Sequence, residues 1–202
     1  MSNCLFVTSH KGLFRLEKKG KSGAVRWKIS QASFLGDSVS MVLPDPRSGT
    51  VYAALSLAHF GVKLHRSFDG GESWEECASP VYPCQESGIS LEAERLGSSV
   101  KKIWSLEAGN SNDTGSLWAG TIPCGLFRSF DGGNSWKLNL PLWERPERKQ
   151  WFGGGFASPG IHSICVDPSD YRCTTVGVSC GGIWVTHDDG ESWECRSQGM
   201  WG

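Results

Sequence analysis

Several features that would assign a function class at once are missing from this sequence. It has no Cys-x-x-Cys pair, so its eight cysteines lack the spacing of a zinc ribbon or a thioredoxin-like motif. No apolar run approaches the roughly 18 residues of a membrane span. A basic excess is also absent. Twenty Lys and Arg stand against 21 Asp and Glu, a formal charge of −1, which leaves little to neutralise a phosphate backbone or an anionic membrane. Neither nucleic acid nor membrane is therefore an expected partner. The one triple-glycine stretch, Gly153 to Gly155, is not followed by Gly-Lys-Ser/Thr and is not a phosphate loop. No cofactor is expected. The start, Met1 to Arg15, alternates apolar residues without a signal-peptide core. On that reading the cysteines are reduced thiols and the expected compartment is cytoplasmic.

What is present is glycine, tryptophan and repetition. The 202 residues include 26 Gly and ten Trp, a composition that argues for a packed chain. Arg66-Ser67-Phe68-Asp69-Gly70-Gly71-Glu72-Ser73-Trp74 returns as Arg128-Ser129-Phe130-Asp131-Gly132-Gly133-Asn134-Ser135-Trp136. It returns again as Val185-Thr186-His187-Asp188-Asp189-Gly190-Glu191-Ser192-Trp193. The shared pattern is Ser/Thr-x-Asp-x-Gly-x-Ser-Trp, and its tryptophans lie 62 and 57 residues apart. A decayed copy precedes them: Gly12-Leu13-Phe14-Arg15 matches Gly125-Leu126-Phe127-Arg128, Lys18 to Lys21 stand in the turn, and Trp27 takes the tryptophan position.

The flanks repeat too. An alternating run precedes each motif: Leu5 to Thr8, Val51 to Ala54, Leu117 to Gly120 and Thr175 to Val178. Before the last three lies another, Val39 to Leu43, Val100 to Leu106 and Ile161 to Val166. Two of these are closed by Asp45-Pro46 and Asp167-Pro168 turns. Each full unit reads as four short strands, A to D, with the motif in the C–D turn. The expectation is an all-β propeller of four-stranded antiparallel blades. One domain spans residues 1–202, with blades at about 1–32, 37–78, 99–140 and 160–199.

Ser-x-Asp-x-Gly-x-Ser-Trp resembles the Asp-box, or bacterial neuraminidase repeat, of sialidases, sortilin-type receptors, xyloglucan-degrading hydrolases and photosystem assembly factors. The resemblance covers nearly the whole chain and implies the blade, not a chemistry. It gives Ser67, Asp69, Gly71, Trp74, Ser129, Asp131, Gly133, Trp136, Thr186, Asp188, Gly190 and Trp193 structural roles. The aspartate accepts from backbone N–H groups of its own turn. Glycine allows positive φ, and each tryptophan buries about 150–250 Å².

The first blade begins at strand B, and too few residues follow Trp193 to supply its missing inner strand. Three arrangements fit: part of a longer propeller, two copies completing a ring and so self-association, or a compact four-bladed ring.

Site residues are expected on the face away from the motif turns, where the long D–A connections Cys77–Ser99 and Asn139–Gly160 lie. Trp143, Arg145, Trp151 and Phe152, with His162 just after them, are candidate ligand-binding residues for a protein or glycan. The first functional expectation is a non-catalytic binding scaffold. The alternative is a sialidase-like glycoside hydrolase, with Glu86, Glu144 and Glu147 as candidate carboxylates and Asp37 a further one. Sialidases resembling this chain use a tyrosine nucleophile and carry Arg-Ile-Pro. That motif is absent, and of Tyr52, Tyr82 and Tyr171 only Tyr82 lies on a candidate loop. His10, His59, Cys124 and Cys180 occupy similar B–C turn positions, but their places in different blades argue against a shared metal.

Overall fold

The computed structural model describes residues 3–20, 26–83 and 99–199. Short runs with alternating burial form fifteen strands among them, grouped into four antiparallel sheets. Each sheet follows the chain without crossover, the meander of a propeller blade. The first holds β1 (Cys4–Ser9), β2 (Gly12–Lys19) and β3 (Arg26–Ser33). The second holds β4 (Val39–Pro44), β5 (Val51–Leu57), β6 (Gly61–Ser67) and β7 (Glu75–Cys77). The third holds β8 (Lys102–Ala108), β9 (Leu117–Ile122), β10 (Leu126–Ser129) and β11 (Lys137–Leu138). The fourth holds β12 (Ile161–Val166), β13 (Thr174–Val178), β14 (Gly182–Thr186) and β15 (Glu194–Cys195). The chain divides into two compact units, Met1–Cys77 and Ala78–Gly202, each with two sheets.

The repeated turns explain why the strands end where they do. Ser67 closes β6 with a buried side chain, and its Oγ accepts the Gly71 N–H at 2.7 Å while donating to Asp69 Oδ1 at 2.7 Å. Asp69 then accepts from the backbone N–H of Glu72 and Ser73 and from the Ser73 hydroxyl. Ser129 and Asp131 repeat this geometry with Gly133 and Ser135. Thr186 and Asp188 repeat it with Gly190 and Ser192. The turn needs left-handed backbone at two successive positions, φ 73° and 95° at Gly70 and Gly71, and 69° and 86° at Gly132 and Gly133. In the last copy a non-glycine residue, Asp189, holds φ 62°. Its carboxylate meets Arg128 Nη1 at 2.8 Å, an ion pair that offsets the cost of the strained backbone.

Neighbouring sheets within a unit meet through these turns. In the first unit Arg15 Nη1 donates to Gly70 O at 3.2 Å, Gln31 Nε2 to Gly71 O at 2.6 Å, and Trp74 Nε1 to Ser33 Oγ. Its core gathers Leu13, Val39, Ala53 and Leu55 under Phe6, Phe34 and Trp74. In the second, Trp193 Nε1 donates to Asn139 Oδ1 and Asn139 Nδ2 to Gly190 O. The core there joins Trp118, Leu126, Leu142, Ile161, Val176, Trp184 and Trp193.

The decayed copy departs from expectation. Lys18 and Lys19 do not turn; they extend β2 and pair with Trp27 and Arg26 of an eight-residue β3. Trp27 is 41% exposed and does not take the packed place of Trp74 or Trp193. With no aspartate to gather the backbone N–H groups of a turn, the strands simply continue. Strand β8 likewise starts at Lys102, two residues after the expected Val100.

Each innermost four-stranded-sheet strand carries a register shift at its second or third residue: Val39/Met41, Ile103/Ser105 and Ile161/Ser163. The residue passed over is Ser40, Trp104 or His162, a bulge that re-aims one side chain.

Ser129→Ala is expected to leave the buried Gly133 N–H without its acceptor and to cost about 1–3 kcal/mol in urea unfolding. The carboxyl of Asp188 is lowered to about 2 by hydrogen bonds from Ser192 and Thr186. Being depressed in the folded state, it stabilises above its unfolded pKa, and that contribution disappears as pH falls from about 4 to about 2. Urea titrations across this window should show a steeper loss of stability for the parent chain than for Asp188→Asn.

Candidate functional site

The connection from β11 to β12 departs from a plain meander. Asn139 caps a single helical turn, α1 (Leu140–Trp143), by accepting from Leu142 N–H at 3.1 Å, and Pro141 sits in its first turn. A 3₁₀ turn over Pro146–Gln150 follows. These turns were not expected from the loop's composition, and they fold its aromatics inward. Trp143 is buried, with the Arg148 guanidinium 3.3 Å over its ring and Tyr82 at 5.3 Å. Trp151 meets Trp184 edge-on at 5.5 Å, and Arg145 lies 5.4 Å from the Trp184 ring. Trp143, Trp151 and Arg145 therefore pack the loop onto its own sheets. Phe152 remains 63% exposed.

Tyr82 locks the loop from below. Its hydroxyl donates to Pro123 O at 2.7 Å and lies 3.1 Å from Thr121 Oγ1. Burial drives its ionisation far above the ordinary phenol range. A Cβ on Gly125 would stand 2.6 Å from that hydroxyl, so glycine is what admits the tyrosine. Cys124 beside it is buried, which pushes its thiol up to about 12. Tyr52 is buried in β5, and burial raises its pKa as well. The two buried tyrosines are built as core groups.

Of the candidate carboxylates, Glu144 is exposed at the end of α1. Glu147 is tied to Arg145 at 2.6 Å, and that hydrogen bond lowers its pKa. Glu86 lies outside the described residues, and Asp37 belongs to the other compact unit. Among the described residues no three His, Cys, Asp or Glu side chains group as a metal site, and no helix is long and apolar enough to cross a membrane.

The loop's far end meets the inner strands. Trp104, the bulged residue of β8, lies 5.2 Å from Phe156 and 5.7 Å from His162, the bulged residue of β12, both edge-on. Lys102 Nζ stands 5.7 Å and 5.8 Å from the Trp104 and Phe156 rings. His162 Nδ1 is 2.7 Å from Ser163 Oγ. Phe156 and His162 are exposed, while Trp104 and Lys102 are half-buried. All four stand at the start of the inner strands or on the loop that enters them, at the end opposite the repeated turns. Glycines shape the cluster: a Cβ on Gly160 would lie 2.7 Å from the Trp104 ring, and one on Gly177 would lie 2.9 Å from His162. Reading the loop alone misses Trp104 and Lys102. Aligning the inner strands would have found the tryptophan, because Ile103-Trp104-Ser105 and Ile161-His162-Ser163 stack in one column.

No protein-family model matches the chain. It is 36% identical to an oligoxyloglucan-reducing end-specific xyloglucanase of Emericella nidulans over 88 residues, 43% of this chain and 10% of that protein. It is 24% identical over 160 residues to a sialidase of Bacteroides fragilis, 69% of this chain and 29% of that one. Among solved structures, the GH74 enzyme of Niastella koreensis superposes with a TM-score of 0.61 at 20% identity, covering 98% of this chain and 28% of that one. YCF48 from Cyanidioschyzon merolae superposes at 0.55 and 16% identity, covering 96% and 53%. The fold is thus a β-propeller. The chain spans less than a third of either curated relative and corresponds to part of the larger solved propellers.

Gly160→Ala is expected to push the Trp104 ring and Ile122 apart at a cost of about 1–3 kcal/mol. Tryptophan fluorescence and urea unfolding should both change, whereas Gly155→Ala, whose Cβ meets nothing within 4 Å, should leave both unaltered.

Proposed function

We propose that this chain is an Asp-box propeller segment, its blades forming one domain, that binds a carbohydrate chain on the face opposite its Asp-box turns. It acts as a non-catalytic scaffold. The reading rests on the cluster of Lys102, Trp104, Phe156 and His162. Two aromatic rings beside an ammonium and an imidazole suit the apolar faces and hydroxyls of a sugar. The likeness to a xyloglucanase and a sialidase supports a glycan over a protein as the partner class. Phe152 extends the same loop's exposed apolar surface. A reducing, cytoplasmic setting is part of the same reading.

The second reading is hydrolysis of the bound glycan, favoured by the named activities of those relatives. Glu144 would be its acid on the described surface and Glu86 its partner, with Glu147 engaged by Arg145.

Calorimetric titration with xyloglucan oligosaccharides and with sialylated oligosaccharides tests the binding. Trp104→Ala is expected to weaken the productive ligand about tenfold, the loss of about 1.4 kcal/mol of ring contact. Unchanged affinity in that variant would remove the cluster from the site. Release of reducing sugar that is lost in Glu144→Gln would replace the scaffold reading with the hydrolytic one.

A further inference from the structure

The last copy of the repeat differs from the others at two positions that face each other across one strand pair. The residue before strand B is Thr50, Ser116 and then Cys173, and the residue after strand C is Phe68, Phe130 and then His187. The two phenylalanines are 68% and 57% exposed surface residues. In the fourth sheet both positions change together, and the new pair is in contact. Cys173 Sγ lies 3.3 Å from His187 Nδ1. The other ring nitrogen, Nε2, lies 3.4 Å from Glu194 Oε1.

The register accounts for this arrangement. Thr174 pairs with Thr186, so Cys173 and His187 flank that pair on the next step. Val185 pairs with Glu194, which places Glu194 diagonally from His187 on the same face. The backbone holds the site at several points. Cys173 N–H donates to Asp170 O, Cys173 O accepts from Asp167 N–H, and Asp189 N–H donates to Arg172 O. Glu194 is held in turn by Arg196 through Nε at 2.7 Å.

We infer that Cys173, His187 and Glu194 form a reactive-thiol site that takes small, uncharged hydroperoxides. His187 is placed to receive the thiol proton, and Glu194 fixes the ring and stabilises the imidazolium, the nucleophile–base–orienter order of activated thiols. The thiolate sulfur attacks one oxygen of hydrogen peroxide, the S–O bond forms as the O–O bond breaks, and the proton on His187 passes to the departing hydroxide. Cys173 becomes a sulfenic acid, one peroxide oxygen having passed to its sulfur as the S–OH group and the other leaving as water. The charged surroundings choose the reagent. Desolvation raises the thiol's pKa, Asp170 and Asp167 add to it and Arg172 opposes it, so the resting group is a thiol that needs its base, and the two carboxylates repel anionic oxidants. Cys165 lies diagonally from Cys173, facing Thr175 rather than Cys173. That separation of about 7–8 Å exceeds the roughly 3.5–4.5 Å between Cβ atoms that a disulfide needs. Cys165 is therefore too far to resolve the sulfenic acid.

Peroxide treatment of the full chain followed by dimedone trapping and mass mapping tests the site. Cys165 and Cys195 are built-in controls, since both are exposed and Cys195 lies beside the Ser197 hydroxyl. Cys173 is expected to be trapped about tenfold faster than either. His187→Phe restores the residue of the other copies and should bring Cys173 down to the control rate with an unchanged β-sheet circular dichroism spectrum. If that variant unfolds, Glu194→Gln gives the same reading, with a slower Cys173 expected. Trapping of Cys173 at the rate of Cys165, or a rate indifferent to the folded variant, overturns the assignment.

Discussion

Each of the three repeated turns in this protein depends on one buried hydroxyl. At Ser67, Ser129 and Thr186 an oxygen at the end of strand C accepts the N–H of a left-handed glycine four residues on and donates to the aspartate two residues on. The hydroxyl therefore fixes both the path of the turn and the aim of the carboxylate. The carboxylate then collects the outer N–H groups, which lets the chain reverse without leaving polar backbone unpaired. Where the first copy lacks this pair, β2 and β3 run on as a long hairpin and Trp27 stays exposed. The comparison isolates what the motif does: it ends strand C and, at Trp74 and Trp193, brings a tryptophan back over the neighbouring sheet of the same unit.

The same turns join sheet to sheet. Arg15 reaches Gly70 O in the first unit, and Arg128 reaches Asp189 in the second, the position equivalent to Gly70. In both units an arginine on strand C meets the following turn at its first left-handed residue. Arg128 also lies 3.9 Å over the Trp118 ring, so the cation is sandwiched between an indole and a carboxylate. In the fourth sheet the equivalent arginine is Val185 and the equivalent tryptophan is Thr175. Its face lacks that adapter and instead carries the Cys173–His187–Glu194 row.

The sheets were legible in the sequence because the hydroxyl and the aspartate of the motif act on their own turn; Asp131 bonds within residues 129–135. The loop was less legible, because its packing is decided at long range. Nothing near Trp143 in sequence announces that Arg148 will cover one side of it and Tyr82 approach from another connection. Composition alone made Trp143, Arg145 and Trp151 look like a binding surface, whereas in the structure Trp143 is buried and Arg145 and Trp151 lie against the Trp184 ring. Trp104 was hidden for a different reason. Read as strict alternation, β8 gives it an ordinary strand position, and only the extra residue between Ile103 and Ser105 turns it toward His162.

That extra residue separates two kinds of selection on the inner strands. Ile103, Ser105, Ile161 and Ile164 are bound by the close packing of the interior, so any change there is felt by the neighbouring sheet. Ser40, Trp104 and His162 occupy the one place per strand that the ladder does not count. A hydroxyl, an indole and an imidazole have all been accepted there on the same frame. The side chain at this place can thus change from one blade to the next while the interior of that blade stays as it is.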